Sequence, residues 1–252
     1  MEIPCTPKSS YKGENNSGNF SPLLLPQTPA MTKLGFGTSV SVYHLHRSPR
    51  FGNERSPWAI KKRNTRAQRK IISERLYKEA KILSSLNHPN IVGFRGFITI
   101  PDGREVLLME ECTQSLGQLN SIKLCDFGVS LNIGEDGTSD EEYIGTLPWT
   151  APEALEDGPI TEKVDIFAFG LTIYEMLTLK SPHVDSFDES LMDLTGKSEL
   201  LDDSVEEPYG TRPELPSLGA EYNDIVALFN WCTEEDYKKR PRARDMLSAL
   251  IT

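Results

Sequence analysis

Residues 165–179, DIFAFGLTIYEMLTL, carry apolar side chains nearly all the way round a helix. Such a helix needs neighbours on every side, so the second half of the chain is expected to form a helical lobe around it. Ile225, Leu228, Phe229 and Cys232 recur at helical spacing and predict a second helix there, and DMLSALI predicts a third that closes the chain.

The first half follows a different period. Val40, Val42 and Leu45 suit a β-ribbon after a glycine turn, and PWAIKK reads as a strand. NIVGFRGFITI and EVLLMEE are predicted to pair across Pro101-Asp102-Gly103. Between them Ile72, Leu76, Ala80 and Leu83 predict one amphipathic helix. A strand-rich part with one helix followed by a helical part predicts an α+β fold in two lobes. Residues 1–30 are rich in Pro, Ser and Asn without periodicity and read as a disordered tail. The two-lobed domain is expected over 31–252, with its first lobe over about 31–112 and its second over about 113–252.

At 38% hydrophobic and 25% charged the chain reads as an ordinary soluble protein, and it has no apolar run of membrane-spanning length. Without an apolar signal core at its start, it is expected in the cytoplasm or nucleus. Its net charge of −10 counts against nucleic acid as a partner. Residues 61–81 hold nine Lys/Arg, and residues 185–207 hold nine Asp/Glu. Both runs are expected to be solvated faces or loops, with a docking surface as the sharper alternative. The four cysteines show no metal-type spacing and are expected to be separate thiols.

Several short motifs occur in a telling order. Leu34-Gly35-Phe36-Gly37-Thr38-Ser39-Val40-Ser41-Val42 fits the opening of G-x-G-x-x-G-x-V, with Val40 where the third glycine would stand. Glycines at a strand turn let backbone N–H groups approach phosphates. Trp58-Ala59-Ile60-Lys61 puts an ammonium at the end of a strand, and Glu79 on the amphipathic helix can pair with it. Asp126-Phe127-Gly128, GTLPW at 145–149 and Ala151-Pro152-Glu153 follow.

This ordered set resembles the protein kinases, from about Leu34 onward. KLGFGTSVSVY, EAKILSSLNHPNIVGFR, IKLCDFGVSL, YIGTLPW and GTRP resemble, more narrowly, a mitotic serine/threonine branch related to the MAP-kinase kinases. The resemblance implies ATP and Mg2+ as cofactors and a protein substrate. It implies that Gly35, Phe36, Gly37 and Val42 cover the nucleotide, that Ala59 lies beside it, and that Lys61, fixed by Glu79, contacts its phosphates. Met109 is implied as gatekeeper, and Glu110 and Cys112 as ends of a hinge whose backbone reads adenine. Asp126 is implied as the magnesium ligand, with Glu153 anchored to Arg240. Thr6-Pro7, Ser21-Pro22 and Thr28-Pro29 point to a proline-directed kinase upstream. The ending Leu250-Ile251-Thr252 lacks a small apolar last residue, which counts against PDZ binding.

One part of the pattern is missing. Kinases place H-R-D-x-x-x-x-N, or a relative, between hinge and D-F-G. Only fifteen residues separate Glu110 from Asp126, and none is histidine. Two helices of about 11–12 residues each would already overfill that interval. Residues 115–119 resemble the start of a helix after the hinge, and 121–124 the strand entering D-F-G, so the sequence reads as joined between Asn120 and Ser121. An in-frame exon skip or gene-model join explains this better than an evolved compact kinase. The residue that would act as general base is therefore not identified, and little turnover is expected, since such catalysis contributes about 10²- to 10⁴-fold. A second lobe with about five core side chains left wet would lose about 8–15 kcal/mol, at roughly 1.5–3 kcal/mol each. The alternatives are a nucleotide-binding pseudokinase or scaffold, or an unstable product.

Overall fold

The computed structural model describes residues 32–36, 40–45, 57–64, 69–100, 103–112, 122–183 and 209–251. The expected N-terminal tail, Gly37, the join at Asn120–Ser121 and the whole acidic run at 185–207 lie outside them.

Five strands form one antiparallel sheet: β1 (Lys33–Phe36), β2 (Val40–Leu45), β3 (Trp58–Arg63), β4 (Phe94–Thr99) and β5 (Glu105–Glu110), in the order β1-β2-β3-β5-β4. The β4–β5 hairpin turns at Gly103, whose φ of 79° is a conformation glycine adopts without a Cβ clash. β4 begins at Phe94 rather than at Asn90 as expected, because Ile91 and Val92 pair with Leu124 instead.

Period-two alternation gives the sheet two different faces. Ile60, Val106 and Leu108 turn to one face and pack with Leu45. Ala59 and Met109, partners across β3 and β5, turn to the other. Lys61 lies two residues beyond Ala59 and so shares that second face. Helix α1 (Arg69–Ser85) covers it, burying Leu76, Ala80 and Leu83 against Leu107 of β5. Fully burying a leucine contributes roughly 1.5–3 kcal/mol, so this stripe fixes how α1 sits on the sheet. Lys61 and Lys62 are both buried, which corrects the expectation that the basic run is uniformly solvated. Lys62 lies over the Tyr43 ring on the opposite face.

The second lobe centres on α3 (Lys163–Thr178), with α2 (Pro152–Leu155), α4 (Asn223–Cys232) and α5 (Ala243–Ile251). Ile166, Ile173 and Tyr174 of α3 pack with Leu228, Phe229 and Cys232 of α4. Val164, Phe167 and Leu171 pack with Ala151, Trp149 and Ile160. Between these two contacts one strip of α3 is left open. Phe169 is 43% and Met176 46% exposed, and Leu179 just beyond the helix is 88% exposed. The sequence expectation of burial on every side is therefore corrected: no described element covers that strip. Of Ile166, Phe167, Phe169, Leu171, Ile173, Met176 and Leu177, the side chains expected to be this helix's core, only Phe169 and Met176 are more than a third exposed. At roughly 1.5–3 kcal/mol each, that is about 3–6 kcal/mol rather than the expected loss of about 8–15 kcal/mol.

Candidate functional site

The site assembles around Lys61. Its register on β3 turns the ammonium toward α1, where Glu79 lies in the same stripe as Leu76 and Leu83 at helical spacing. Lys61 Nζ donates to Oε2 of Glu79 at 2.8 Å and to Oδ1 of Asp126 at 2.6 Å. Lys61 is 5% and Glu79 1% exposed. Burial alone would push the ammonium's pKa down, but the two carboxylates outweigh it and the net shift is upward, so Lys61 stays charged. Glu79 is pushed up by burial, against the pull of Lys61. The two directions agree physically, because one cation shared between two carboxylates compensates neither in full. Glu79 Oε1 is buried without a hydrogen-bond partner among the described residues.

Asp126 reaches Lys61 through an extended segment docked by a single β-bridge between Ile91 and Leu124. Leu124 N–H donates to the carbonyl of Asn90 at 2.7 Å, and Val92 N–H to that of Leu124 at 3.0 Å. Asn90 Nδ2 adds a bond to the carbonyl of Ile122 at 2.8 Å. Asp126 adopts φ of 66°, a left-handed conformation that aspartate tolerates better than most residues. Its side chain is 66% exposed. The next residue, Phe127, packs into the α1 cluster beside Leu76, Ala80 and Leu83.

Val42, Ala59, Val92 and Met109 form one small apolar cluster on the same face of the sheet. Three of these were singled out from sequence. Val92 was missed there because it reads as part of a longer strand. A Cβ added at Gly35 would meet nothing within 4 Å, so the space beside β1 is open. Phe36 pairs with Ser41 across the ribbon. Glu110 Oε2 accepts from Gly93 N–H and from Lys123 Nζ, both at 3.1 Å, which ties the end of β5 to the strand entering Asp126. Lys123 was likewise missed. Glu111 pairs with His44 of β2. Cys112 is exposed, and partial burial together with the nearby Glu110 pushes its thiol up.

Farther along the chain, Glu153 Oε1 and Oε2 accept from the two terminal nitrogens of Arg240 at 2.6 and 2.8 Å. Arg240 Nε donates to the carbonyl of Glu234 at 2.7 Å, and the guanidinium lies 4.8 Å from the Phe167 ring centre. This two-pronged geometry is specific to arginine.

The arrangement can hold a polyphosphate and a divalent cation. Mg2+ is commonly held by one or two carboxylates together with substrate phosphates. Asp126 supplies one open carboxylate, Lys61 supplies a fixed cation beside it, and the apolar cluster is a surface for a flat ring. Among the described residues no group of three or more His, Cys, Asp or Glu could hold a metal alone. No described helix is long and apolar enough to cross a membrane.

Comparison with known proteins gives a consistent picture. A family model described as protein kinase domain matches residues 114–250, and one described as protein tyrosine and serine/threonine kinase matches residues 29–121. The human lymphokine-activated killer T-cell-originated protein kinase is 39% identical over 293 residues, covering 90% of this chain and 91% of that protein. The Caenorhabditis elegans mitogen-activated protein kinase kinase kinase dlk-1 is 39% identical over 122 residues, 48% of this chain and 12% of that protein. The human mitogen-activated protein kinase kinase kinase 13 is 26% identical over 162 residues, 46% of this chain and 17% of that protein. The first alignment takes in about 227 of the 252 residues here but spans 293, so on the order of 65 of its positions have no residue in this chain.

Proposed function

The chain belongs to the protein kinase family, and we propose that it is a serine/threonine-type member that binds Mg-ATP but transfers phosphate poorly or not at all. One observation carries this reading: the Lys61 ammonium lies 2.8 Å from a carboxylate oxygen of Glu79 and 2.6 Å from one of Asp126, while the interval before Asp126 holds no H-x-D-x-x-x-x-N. The three charged groups suit a nucleotide site, and the interval before Asp126 lacks a proton acceptor.

In this reading the wall of Val42, Ala59, Val92 and Met109 receives the adenine ring. Lys61, held by Glu79, directs its ammonium at the phosphates. Asp126 would hold Mg2+, which supplies neutralisation of the charge spread over the phosphate oxygens. No described residue stands as acceptor for a substrate hydroxyl proton. The roughly 65 unmatched positions in the first alignment support a missing internal segment. So does the open strip of α3, where Phe169 and Met176 face no described element. Asp165, at the head of that strip, is itself exposed, and partial desolvation pushes its carboxyl up.

The test is thermal unfolding with millimolar Mg-ATP. A rise in midpoint for the chain, absent in Lys61→Met, supports the reading. No rise in a folded protein contradicts it.

The exposed strip also favours a second reading, an unstable splice or gene-model product. Sequencing the transcript across the codons for Asn120 and Ser121 separates the two, since reads with an inserted H-x-D-x-x-x-x-N segment would make the longer kinase the native protein. On the resemblance alone, the wider setting is mitotic, in cytoplasm or nucleus, with a proline-directed kinase acting on the N-terminal Ser/Thr-Pro sites. Following the protein's location and phosphorylation through the cell cycle checks that part.

A further inference from the structure

We propose that Glu141 is a positioning residue for the nucleotide site, tying the segment after Asp126-Phe127-Gly128 to α1 through Lys78; the inference rests on Lys61, Glu79 and Asp126 forming that site. Glu141 uses both carboxylate oxygens. Oε2 accepts from Lys78 Nζ at 2.7 Å. Oε1 accepts from the backbone N–H and from Nδ2 of Asn132, each at 3.2 Å. Its own N–H donates to Ser139 Oγ at 3.3 Å. One side chain therefore closes the loop from 132 to 141 on itself and fastens that loop to the helix. Lys78 and these donors hold the Glu141 carboxyl below its usual pKa.

Lys78 precedes Glu79 directly in sequence. Neighbouring residues of a helix project about 100° apart around its axis. Glu79 points into the sheet and holds Lys61, while Lys78 points toward the loop. Two contacts in such different directions fix the rotation of α1 about its axis, which the apolar stripe alone constrains less sharply. Any slip of α1 that carried Glu79 away from Lys61 would also have to break the Lys78–Glu141 pair. Glu141 thus does for this chain, through a permanent carboxylate, what an added phosphate could do in a loop without one. The pair is partly exposed, Lys78 at 35% and Glu141 at 43%. Its influence is therefore modest and sensitive to salt.

The experiment uses the full 252-residue chain and the variants Lys78→Gln, Glu141→Gln and the double substitution. Two quantities are read at about 20 mM and about 500 mM salt. One is the dissociation constant of a fluorescent ATP analogue with Mg2+, and the other is amide hydrogen exchange across residues 69–85 without nucleotide. At low salt each single variant is expected to bind about two- to fivefold more weakly and to exchange α1 amides faster by a similar factor. The double variant should match the singles, and high salt should bring all four proteins together. Unchanged exchange in α1, or single effects that add in the double variant, overturns the inference. If the unsubstituted chain binds no nucleotide, the reading of the nucleotide site fails, and the exchange measurement alone decides whether Glu141 fixes α1.

Discussion

Lys61 Nζ lies 2.6 Å from Oδ1 of Asp126, a residue 65 positions farther along the chain. The contact joins the sheet to the segment that carries the proposed metal ligand, and it makes Lys61 the one ion-pair partner shared by Glu79 and Asp126 among the described residues. The two carboxylates are unequal. Asp126 is largely in water, whereas Glu79 is 1% exposed.

That inequality predicts an order of effects. Lys61→Met strands a buried carboxylate and is expected to cost about 3–5 kcal/mol in urea unfolding. Glu79→Gln leaves Lys61 with Asp126 and removes a charge that burial disfavours, so its cost should stay below about 2 kcal/mol. The reverse order would contradict the description of Lys61 as the shared cation.

Much of this arrangement is legible in the sequence, and the residues show why. Glu79 falls at the spacing of Leu76 and Leu83, so its burial follows from the helical period. Lys61 alternates with Ile60, so its face follows from the strand period. Val92 was not legible as part of the wall, because nothing in NIVGF marks where pairing shifts from one segment to another. The open strip of α3 was not legible either. An apolar helix shows which residues seek cover, but the neighbours decide which of them find it. The Lys78–Glu141 pair joins residues 63 positions apart and leaves no periodic trace.

Gly170 on α3 faces α4 at a distance that excludes a side chain. A Cβ there would lie 2.6 Å from Cγ2 of Thr233 and 2.9 Å from Cβ of Cys232. Thr233 cannot turn away freely, since its Oγ1 accepts from Arg212 Nε at 2.7 Å and donates to the carbonyl of Phe229 at 2.8 Å. Gly170→Ala gains about 1 kcal/mol in helix propensity. Overpacking costs typically about 1–3 kcal/mol. The expected net effect is a lower melting temperature, and an unchanged or raised one would contradict the close approach of α3 and α4.

Cys232 is fully buried beside Met246, and burial pushes its thiol up to about 11, against a smaller pull from Arg240. At pH 8 it is expected to alkylate at least about a hundredfold more slowly in the native protein than in the urea-unfolded chain, where thiols titrate near 8.5. The sign for stability follows from the same shift. Between about pH 9 and 11 the unfolded thiol loses its proton while the folded one keeps it, so stability falls as pH rises, by up to about 3 kcal/mol. Cys232→Ala should remove that part of the slope. Equal alkylation rates in the two states would contradict the buried placement.

The most direct measurement is transfer of radiolabelled phosphate from ATP to a general protein substrate and to the chain itself, with Asp126→Ala as control. The account predicts that the 252-residue chain transfers no more label than Asp126→Ala, even when Mg-ATP stabilises it against heat. Robust transfer that Asp126→Ala abolishes would contradict it, because phosphoryl transfer would then proceed without the segment that ordinarily supplies the proton acceptor.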